Sequence, residues 1–350
     1  MNLDKRINSL VLWGKSLERV IKSHKGEAVE LNPQEEKFLA AAHLSKSYNG
    51  WFSIQSVMQS AEGIQEFLHE ENLKTFAAKY AEEMNKISSP KRVLLIMAGN
   101  IPMVGFHDLL CTLLCGHTAV VKSSSDDSHL LPALTEILKN IDVYFADKIE
   151  FIERPMKNFE AVIATGSDNS AKYFDYYFGK YPNIIRKNRI SVAVLDGTET
   201  EAELNEFSKD VFQYYGLGCR NVSKVFVPKG YQFKTMIEAF QVQLPYLENN
   251  KYQNNLEYQK AVMLLNKDPF IDAGFFFMKE NTSPFSSVSV LHYHQYENIQ
   301  EVKDSIAEYN EKIQCVVGKV EGALSFGHAQ CPGLNDFADG VDTMKFLVSL

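Results

Sequence analysis

Residues 92–102 read RVLLIMAGNIP: an apolar, β-rich run, Arg92–Met97, that breaks into Ala98-Gly99-Asn100-Ile101-Pro102. The rhythm then repeats. Short β-rich runs at Thr118–Val121, Ile149–Ile152, Ala161–Ala164 and Ile190–Leu195 alternate with helix-like stretches such as Ser128–Lys139 and Asn169–Phe178. Strands that alternate with helices imply a parallel α/β sheet, because parallel neighbours are joined by helical crossovers.

Upstream of this series, residues 1–90 read as helices. Asn32-Pro33-Gln34-Glu35 has the form of a helix start, with Asn as cap, Pro at the first position and Glu three residues after the cap. That helix should end near Asn49-Gly50. Ile54, Val57, Met58, Ala61, Ile64 and Leu68 then recur at helical spacing, as do Leu73, Phe76, Ala77, Tyr80 and Met84. Downstream of residue 200 a second α/β series follows. It comprises a helix to about Tyr215, a strand at Lys224–Val227, helices near 233–245 and 254–266, and strands at Phe275–Met278, Val288–His292 and Gln314–Val317. No repeat, low-complexity tract or Pro/Gly/Ser-rich linker interrupts the chain, so two domains should abut near residues 194–200.

The 350 residues are 45% hydrophobic and 23% charged, enough to bury a sizeable core. A net charge of −8 argues against a general polyanion binder, so no nucleic-acid partner is expected. The first twenty residues lack an apolar core before a small-residue cleavage site, and no stretch is long and apolar enough to span a bilayer. The cytoplasm is the expected compartment. The 5 cysteines are scattered, with neither a CxxC pair nor a disulfide framework, as suits reduced thiols. Cys111 and Cys115, four apart, read as two buried thiols. His292 and His294 alternate along a strand without a third ligand at sensible spacing, so no metal site is expected.

Three segments carry chemistry. In Gly216-Leu217-Gly218-Cys219-Arg220-Asn221-Val222, a cysteine stands between small and flexible residues, after a helix and before a strand. An exposed turn of this kind presents a thiol, and nearby cations or helix-end amides favour its reactive thiolate. A lone cysteine is more often a small apolar side chain, so the pattern alone leaves both readings open. Asn100 ends a parallel strand, where such folds place ligand groups, and reads either as a turn former or as a donor to an oxyanion. Lys122 ends the next strand, facing solvent or a cofactor's ribose and phosphate. Thr165-Gly166-Ser167 joins a strand to a helix, whose free amides suit an anion.

In this order the segments resemble the aldehyde dehydrogenase superfamily, over about residues 90–350. The resemblance implies an α/β fold with a Rossmann-type cofactor domain, a second α/β catalytic domain and a helical N-terminus. It divides the chain into a helical N-terminal segment (1–90), a dinucleotide-binding domain (91–195), a catalytic domain (196–325) and a tail (326–350). That tail would return to the cofactor domain or form an oligomer arm. Cys219 falls on the superfamily's nucleophile and Asn100 on its oxyanion asparagine. Lys122 falls on the cofactor-ribose lysine, and Thr165-Gly166-Ser167 on the turn over the cofactor diphosphate, with Ala171 where a second glycine is usual. Phe285, in Ser283-Pro284-Phe285-Ser286-Ser287-Val288, resembles the phenylalanine beside the nicotinamide. A narrower resemblance is to the LuxC-type acyl-CoA reductases. It rests on Asn49-Gly50-Trp51-Phe52, Arg189-Ile190-Ser191-Val192-Ala193-Val194-Leu195, and the tail Phe326-Gly327-His328-Ala329-Gln330-Cys331-Pro332-Gly333 with Ala338-Asp339-Gly340-Val341-Asp342-Thr343.

Departures from the superfamily pattern choose among reactions. Val194 stands at the glutamate that activates water in hydrolytic members, and a valine takes no proton. Asp196, two residues on, should share Val194's face along the strand at a different depth. Ser283 replaces a cofactor carboxylate, and Ser125 replaces the glutamate that engages the adenine ribose in NAD-preferring members. Ser125 leaves no carboxylate to repel a 2′-phosphate, which favours NADPH. The resemblance thus implies NADPH-dependent reduction of a fatty-acyl-CoA or acyl-carrier-protein thioester to the aldehyde through an acyl-Cys219, with His328 the one named candidate for the proton donor. It also implies a homo-oligomer. Two alternatives stand beside it: an acyl-phosphate reductase of the same superfamily, and a non-catalytic scaffold of a fatty-acid reductase complex.

Overall fold

The computed structural model describes residues 1–154 and 158–350. In chain order its elements begin with helices α1 (Leu3–His24), α2 (Pro33–Tyr48), α3 (Ile54–Phe67), α4 (Glu70–Ala78) and α5 (Ala81–Lys86). Then come β1 (Arg92–Ile96), α6 (Phe106–Leu114), β2 (Thr118–Lys122), α7 (Leu130–Ile141), β3 (Ile149–Phe151), β4 (Ala161–Thr165), α8 (Asp168–Phe178) and β5 (Asn183–Arg186). The second series is β6 (Ile190–Val194), α9 (Glu201–Phe212), β7 (Val222–Pro228), α10 (Phe233–Phe240), α11 (Leu244–Leu247) and α12 (Asn250–Asn266). It continues through β8 (Ile271–Asp272), β9 (Phe277–Glu280), β10 (Val290–Tyr296), α13 (Ile299–Glu308) and β11 (Ile313–Gly318), and the chain ends in α14 (Thr343–Val348). No helix among the described residues is long and apolar enough to cross a membrane.

The chain forms two compact units: residues 1–187 with 333–350, and residues 188–332. The first unit holds a 5-stranded parallel sheet in the order β3-β2-β1-β4-β5. Side chains of successive strand residues point to opposite faces, so this sheet feeds two cores. Val93, Leu95, Ala119, Val121 and Ile163 join the large cluster built with the N-terminal helices, whereas Leu94, Ile96, Val120, Val162 and Ala164 pack on the other face with Phe159. Trp13 of α1 is fully buried against Phe106 and donates its indole N–H to the Leu134 carbonyl at 3.0 Å. The predicted capping box is present: Asn32 Oδ1 accepts the Gln34 and Glu35 N–H groups, and Glu35 accepts that of Asn32.

The second unit holds a 6-stranded sheet in the order β11-β6-β7-β10-β9-β8, parallel except for the β8–β9 pair. Its first strand corrects the expected boundary at residue 195. Ile190–Val194 pairs with β7 and β11, so the strand belongs with the second sheet, and the division falls between Lys187 and Asn188. The tail also divides. Residues up to Pro332 belong to the second unit, and Gly333–Leu350 belong to the first, where His117 and His107 hold the carbonyls of Leu347 and Leu334. The predicted helix 233–245 breaks after Phe240 and restarts at Leu244-Pro245, since proline has no N–H for a preceding turn.

Candidate active site

In the first unit the candidate residues lie at the carboxyl edge of the parallel sheet. Asn100 is exposed just beyond β1, Lys122 is the last residue of β2, and Thr165 is the last of β4. The order β2-β1-β4 places the switch between the two directions of winding at the β1–β4 pair, where such sheets open a crevice for ligands. Gly99, on the Asn100 loop, is packed so closely on Ser124 that a Cβ would meet its Oγ at 2.5 Å. The Asn100 loop and the Lys122–Ser125 segment are therefore brought together. Ser125 is exposed at the start of a 3₁₀ turn whose cap is Ser124. Gly166 leads into α8, where a Cβ would sit 2.9 Å from the Ser170 Cβ, and Ser167 caps the helix on the Ser170 N–H. Close backbone approach and a helix N-terminus at the sheet's switch point fit a dinucleotide's phosphates.

In the second unit Cys219 is half-buried on the turn between α9 and β7. α9 ends at Phe212, short of the predicted Tyr215: Gln213 leaves helical geometry with ψ 141°, and Tyr214, Tyr215 and Gly216 then take the left-handed conformation, with φ 52, 58 and 79°. For bulky residues this costs on the order of 1–3 kcal/mol each and persists only where packing enforces it. Tyr215 is stacked on Tyr246, their ring centroids 4.6 Å apart. Gly218 accommodates the side chain of Asn221: its N–H donates to Asn221 Oδ1 at 2.8 Å, and a Cβ would lie 2.9 Å from that oxygen. Ser191 Oγ donates to the carbonyl of Cys219 at 3.1 Å and lies 3.1 Å from the Cys315 sulfur.

The loop carrying His328 packs against this turn. Arg220 Nε donates to the Ala329 carbonyl, and Gln330's amide lies beside Gly218. Asp210, fully buried on α9, accepts the N–H groups of Gly327 at 2.7 Å and Ala329 at 2.8 Å. Burial pushes its carboxyl up to about 6 against the pull of these two bonds. His328 is exposed, with Nδ1 3.0 Å from the Phe326 carbonyl. A carbonyl only accepts, so Nδ1 is the donor in this contact. Phe285, 39% exposed, follows a segment tied to β7 and β10. Thus Cys219, the His328 loop and the Phe285 segment share one scaffold.

Val194 is 1% exposed and packs with Val192, Phe226 and Val302. The expectation that Asp196 continues on Val194's face does not hold, because β6 ends at Val194. Asp196 is exposed in a turn, accepting from the Thr198 N–H and hydroxyl at 2.9 and 2.7 Å. Of the other thiols, burial pushes Cys111 and Cys331 up and Cys115 to about 12, which disfavours their thiolates. His292 Nδ1 donates to the Ser283 carbonyl at 3.0 Å, a structural task. No group of three or more potential metal ligands occurs among the described residues.

Residue-by-residue reading overlooked Asp210, Ser191, Asn221, Ser223 and Lys224 as holders of these loops. Only Lys224 left a visible signal, a charge among the apolar positions of Val222-Ser223-Lys224-Val225-Phe226-Val227.

Solved structures with this fold include aldehyde dehydrogenases. Aldehyde dehydrogenase 21 from Physcomitrella patens, solved with its product succinate, is 12% identical with a TM-score of 0.64, the match covering 99% of this chain and 88% of that one. HpcC from Thermus thermophilus is 13% identical with a TM-score of 0.65, covering 92% and 70%. The Δ-pyrroline-5-carboxylate dehydrogenase from Mycobacterium tuberculosis is 16% identical with a TM-score of 0.57, covering 97% and 70%. The chain is therefore a protein of the aldehyde-dehydrogenase-like fold. Within that class it belongs to the acyl-CoA reductase (LuxC) family of oxidoreductases, whose model matches residues 17–306. No curated protein matches the chain.

Proposed function

We propose that the protein reduces a fatty-acyl thioester, from CoA or a carrier protein, to the aldehyde through an acyl-Cys219 intermediate, with NADPH as cofactor. The observation that carries the reading is Cys219 itself: half-buried on a turn held by Asn221, in a chain of the acyl-CoA reductase family. Its sulfur attacks the acyl carbon and the carbonyl electrons move to oxygen, which the Cys219 N–H and the Asn100 amide are assigned to hold. The oxyanion collapses, the carbon–sulfur bond to the donor breaks, and the donor thiolate takes a proton, for which His328 is the assigned source. A reduced nicotinamide, when bound, supplies the hydride that brings the acyl group to the aldehyde level. The sulfur then leaves as thiolate.

Lys122, Ser125, Thr165, Gly166 and Ser167 are the residues assigned to the cofactor's ribose and phosphates, and Phe285 to its nicotinamide. The preference for NADPH rests on Ser125. Val194, buried among apolar side chains, supports a reductase, since no carboxylate at that position would activate water against the acyl-enzyme. We place the enzyme in the cytoplasm as a homo-oligomer.

Incubation with radiolabelled acyl-CoA tests the reading. A thiol-labile label absent from Cys219→Ser, together with NADPH oxidation exceeding that of NADH, is the expected result. Labelling by acyl phosphate alone would assign the alternative substrate. No label and no cofactor oxidation would leave a scaffold.

A further inference from the structure

The strand that follows Cys219 carries a lysine where water is excluded. Lys224 is 1% exposed, and its ammonium donates to the Thr282 carbonyl at 2.5 Å while lying 4.7 Å from the centre of the Phe226 ring. Ser223, its neighbour, donates from Oγ to the Pro284 carbonyl at 2.7 Å. His292 stands opposite Lys224 in the β7–β10 register and donates from Nδ1 to the Ser283 carbonyl at 3.0 Å. Three successive carbonyls of one irregular segment are each taken by a different side chain. The next residue is Phe285.

Burying an ammonium against a carbonyl rather than a carboxylate is costly, and burial draws the Lys224 amine down to about 8. An apolar side chain would fill this site at less cost, so packing does not account for the lysine. What it supplies is a long, charged donor reaching from the nucleophile's strand to the segment before Phe285.

We propose that Lys224 is a positioning residue, the principal point of a clasp with Ser223 and His292 that ties residues 282–284 to the strand behind Cys219 and so sets Phe285 for the nicotinamide. The nicotinamide contact of Phe285 rests on the function proposed above; the clasp does not. Acyl transfer to Cys219 uses no cofactor, whereas hydride delivery depends on Phe285. Loss of Lys224 therefore divides the two half-reactions.

The experiment compares wild type with Lys224→Met, Lys224→Arg and Ser223→Ala by hydrogen–deuterium exchange and by kinetics of each half-reaction. In Lys224→Met, exchange across residues 281–287 is expected to rise about 10-fold, with Arg restoring most of the protection and Ser223→Ala showing an intermediate rise. The KM for NADPH should rise on the order of 10-fold, while formation of labelled acyl-enzyme changes less than about 2-fold. If Lys224→Met fails to fold, Lys224→Arg and Ser223→Ala decide the matter by the same measurements. Unchanged exchange in the folded variants overturns the clasp. So does a loss of acyl transfer in step with the loss of NADPH affinity. A wild type that neither acylates nor binds NADPH, with the variants still showing the expected rise in exchange, overturns the proposed function and keeps the clasp.

Discussion

The carboxamide of Asn221 accepts the backbone N–H of Gly218 at 2.8 Å, so these two residues close the short turn that has Cys219 within it. The same carboxamide donates to the carbonyls of Asp210, Val211 and Gln213 at 3.2, 3.2 and 2.8 Å. Those carbonyls belong to the end of α9, where a helix has no internal donors left. One side chain thus finishes the helix and shapes the turn of Cys219.

Asn221→Ala should therefore cost about 2–3 kcal/mol, since it strands buried donors and acceptors on both sides of the turn. Formation of labelled acyl-enzyme should fall by roughly 10- to 100-fold as the sulfur loses its fixed placement. Asn221→Asp keeps the acceptor for Gly218 but loses the donors, and should lie between. Urea denaturation together with acyl labelling measures both effects. Wild-type labelling by a destabilised Asn221→Ala would separate the turn's stability from its chemistry.

Asp210 should make the stability of the fold depend on pH. Its carboxyl is raised from 3.8 to about 6 in the fold, so between these values the native state holds more proton than the unfolded chain. The associated stability is present below about 3.8 and lost as pH rises through about 6, by roughly 2–3 kcal/mol. Asp127 adds a contribution of the same sign in the first unit. Stability of Asp210→Asn, compared with wild type from pH 4 to 7, isolates the Asp210 part: the variant's curve should be the flatter.

Lys224 has the opposite sign. Burial lowers its amine from 10.5 to about 8, so the unfolded chain binds more proton between those values. Stability from this group is present above about 10.5 and lost as pH falls through about 8, on the order of 3 kcal/mol. Lys224→Met should remove that slope, and at neutral pH it should be close to wild type in global stability. Thermal melts between pH 7 and 10.5 read this directly; an unchanged slope would show the ammonium to be solvated.

The first unit is locked by an ion pair that connects distant parts of the chain. Arg186, ending β5, donates to both carboxylate oxygens of Asp108 on α6, at 2.5 and 2.9 Å, and to Thr343 Oγ1 of α14 at 2.9 Å. Asp108→Ala should cost about 3–5 kcal/mol by leaving the guanidinium buried and unpaired. Replacing both charges by apolar residues should cost less than the single change. Denaturation of the two variants checks the order.

Local patterns carried much of the architecture. The Asn32–Glu35 capping box, the β1 run and the cysteine before β7 were legible because caps, apolar runs and turns act within a few residues. β5 was not, since Asn183–Arg186 is short and its Arg186 is kept for Asp108, across the sequence. Nor was the assignment of Ile190–Val194 to the second sheet, because an apolar strand reads the same whichever neighbour supplies its ladder.

Sequence alone determined that two α/β series follow a helical start, and that one cysteine stands on a turn between a helix and a strand. Periodicity and backbone preference decide such things, and both are local. Only the tertiary structure decided that Asp210 holds the His328 loop, that Asn221 closes the cysteine's turn, and that Lys224 reaches the carbonyl of Thr282. Each of these is a buried polar group satisfied by a partner distant along the chain or round a turn. Burial makes such a partner obligatory, but nothing in the order of residues says which partner folding will bring.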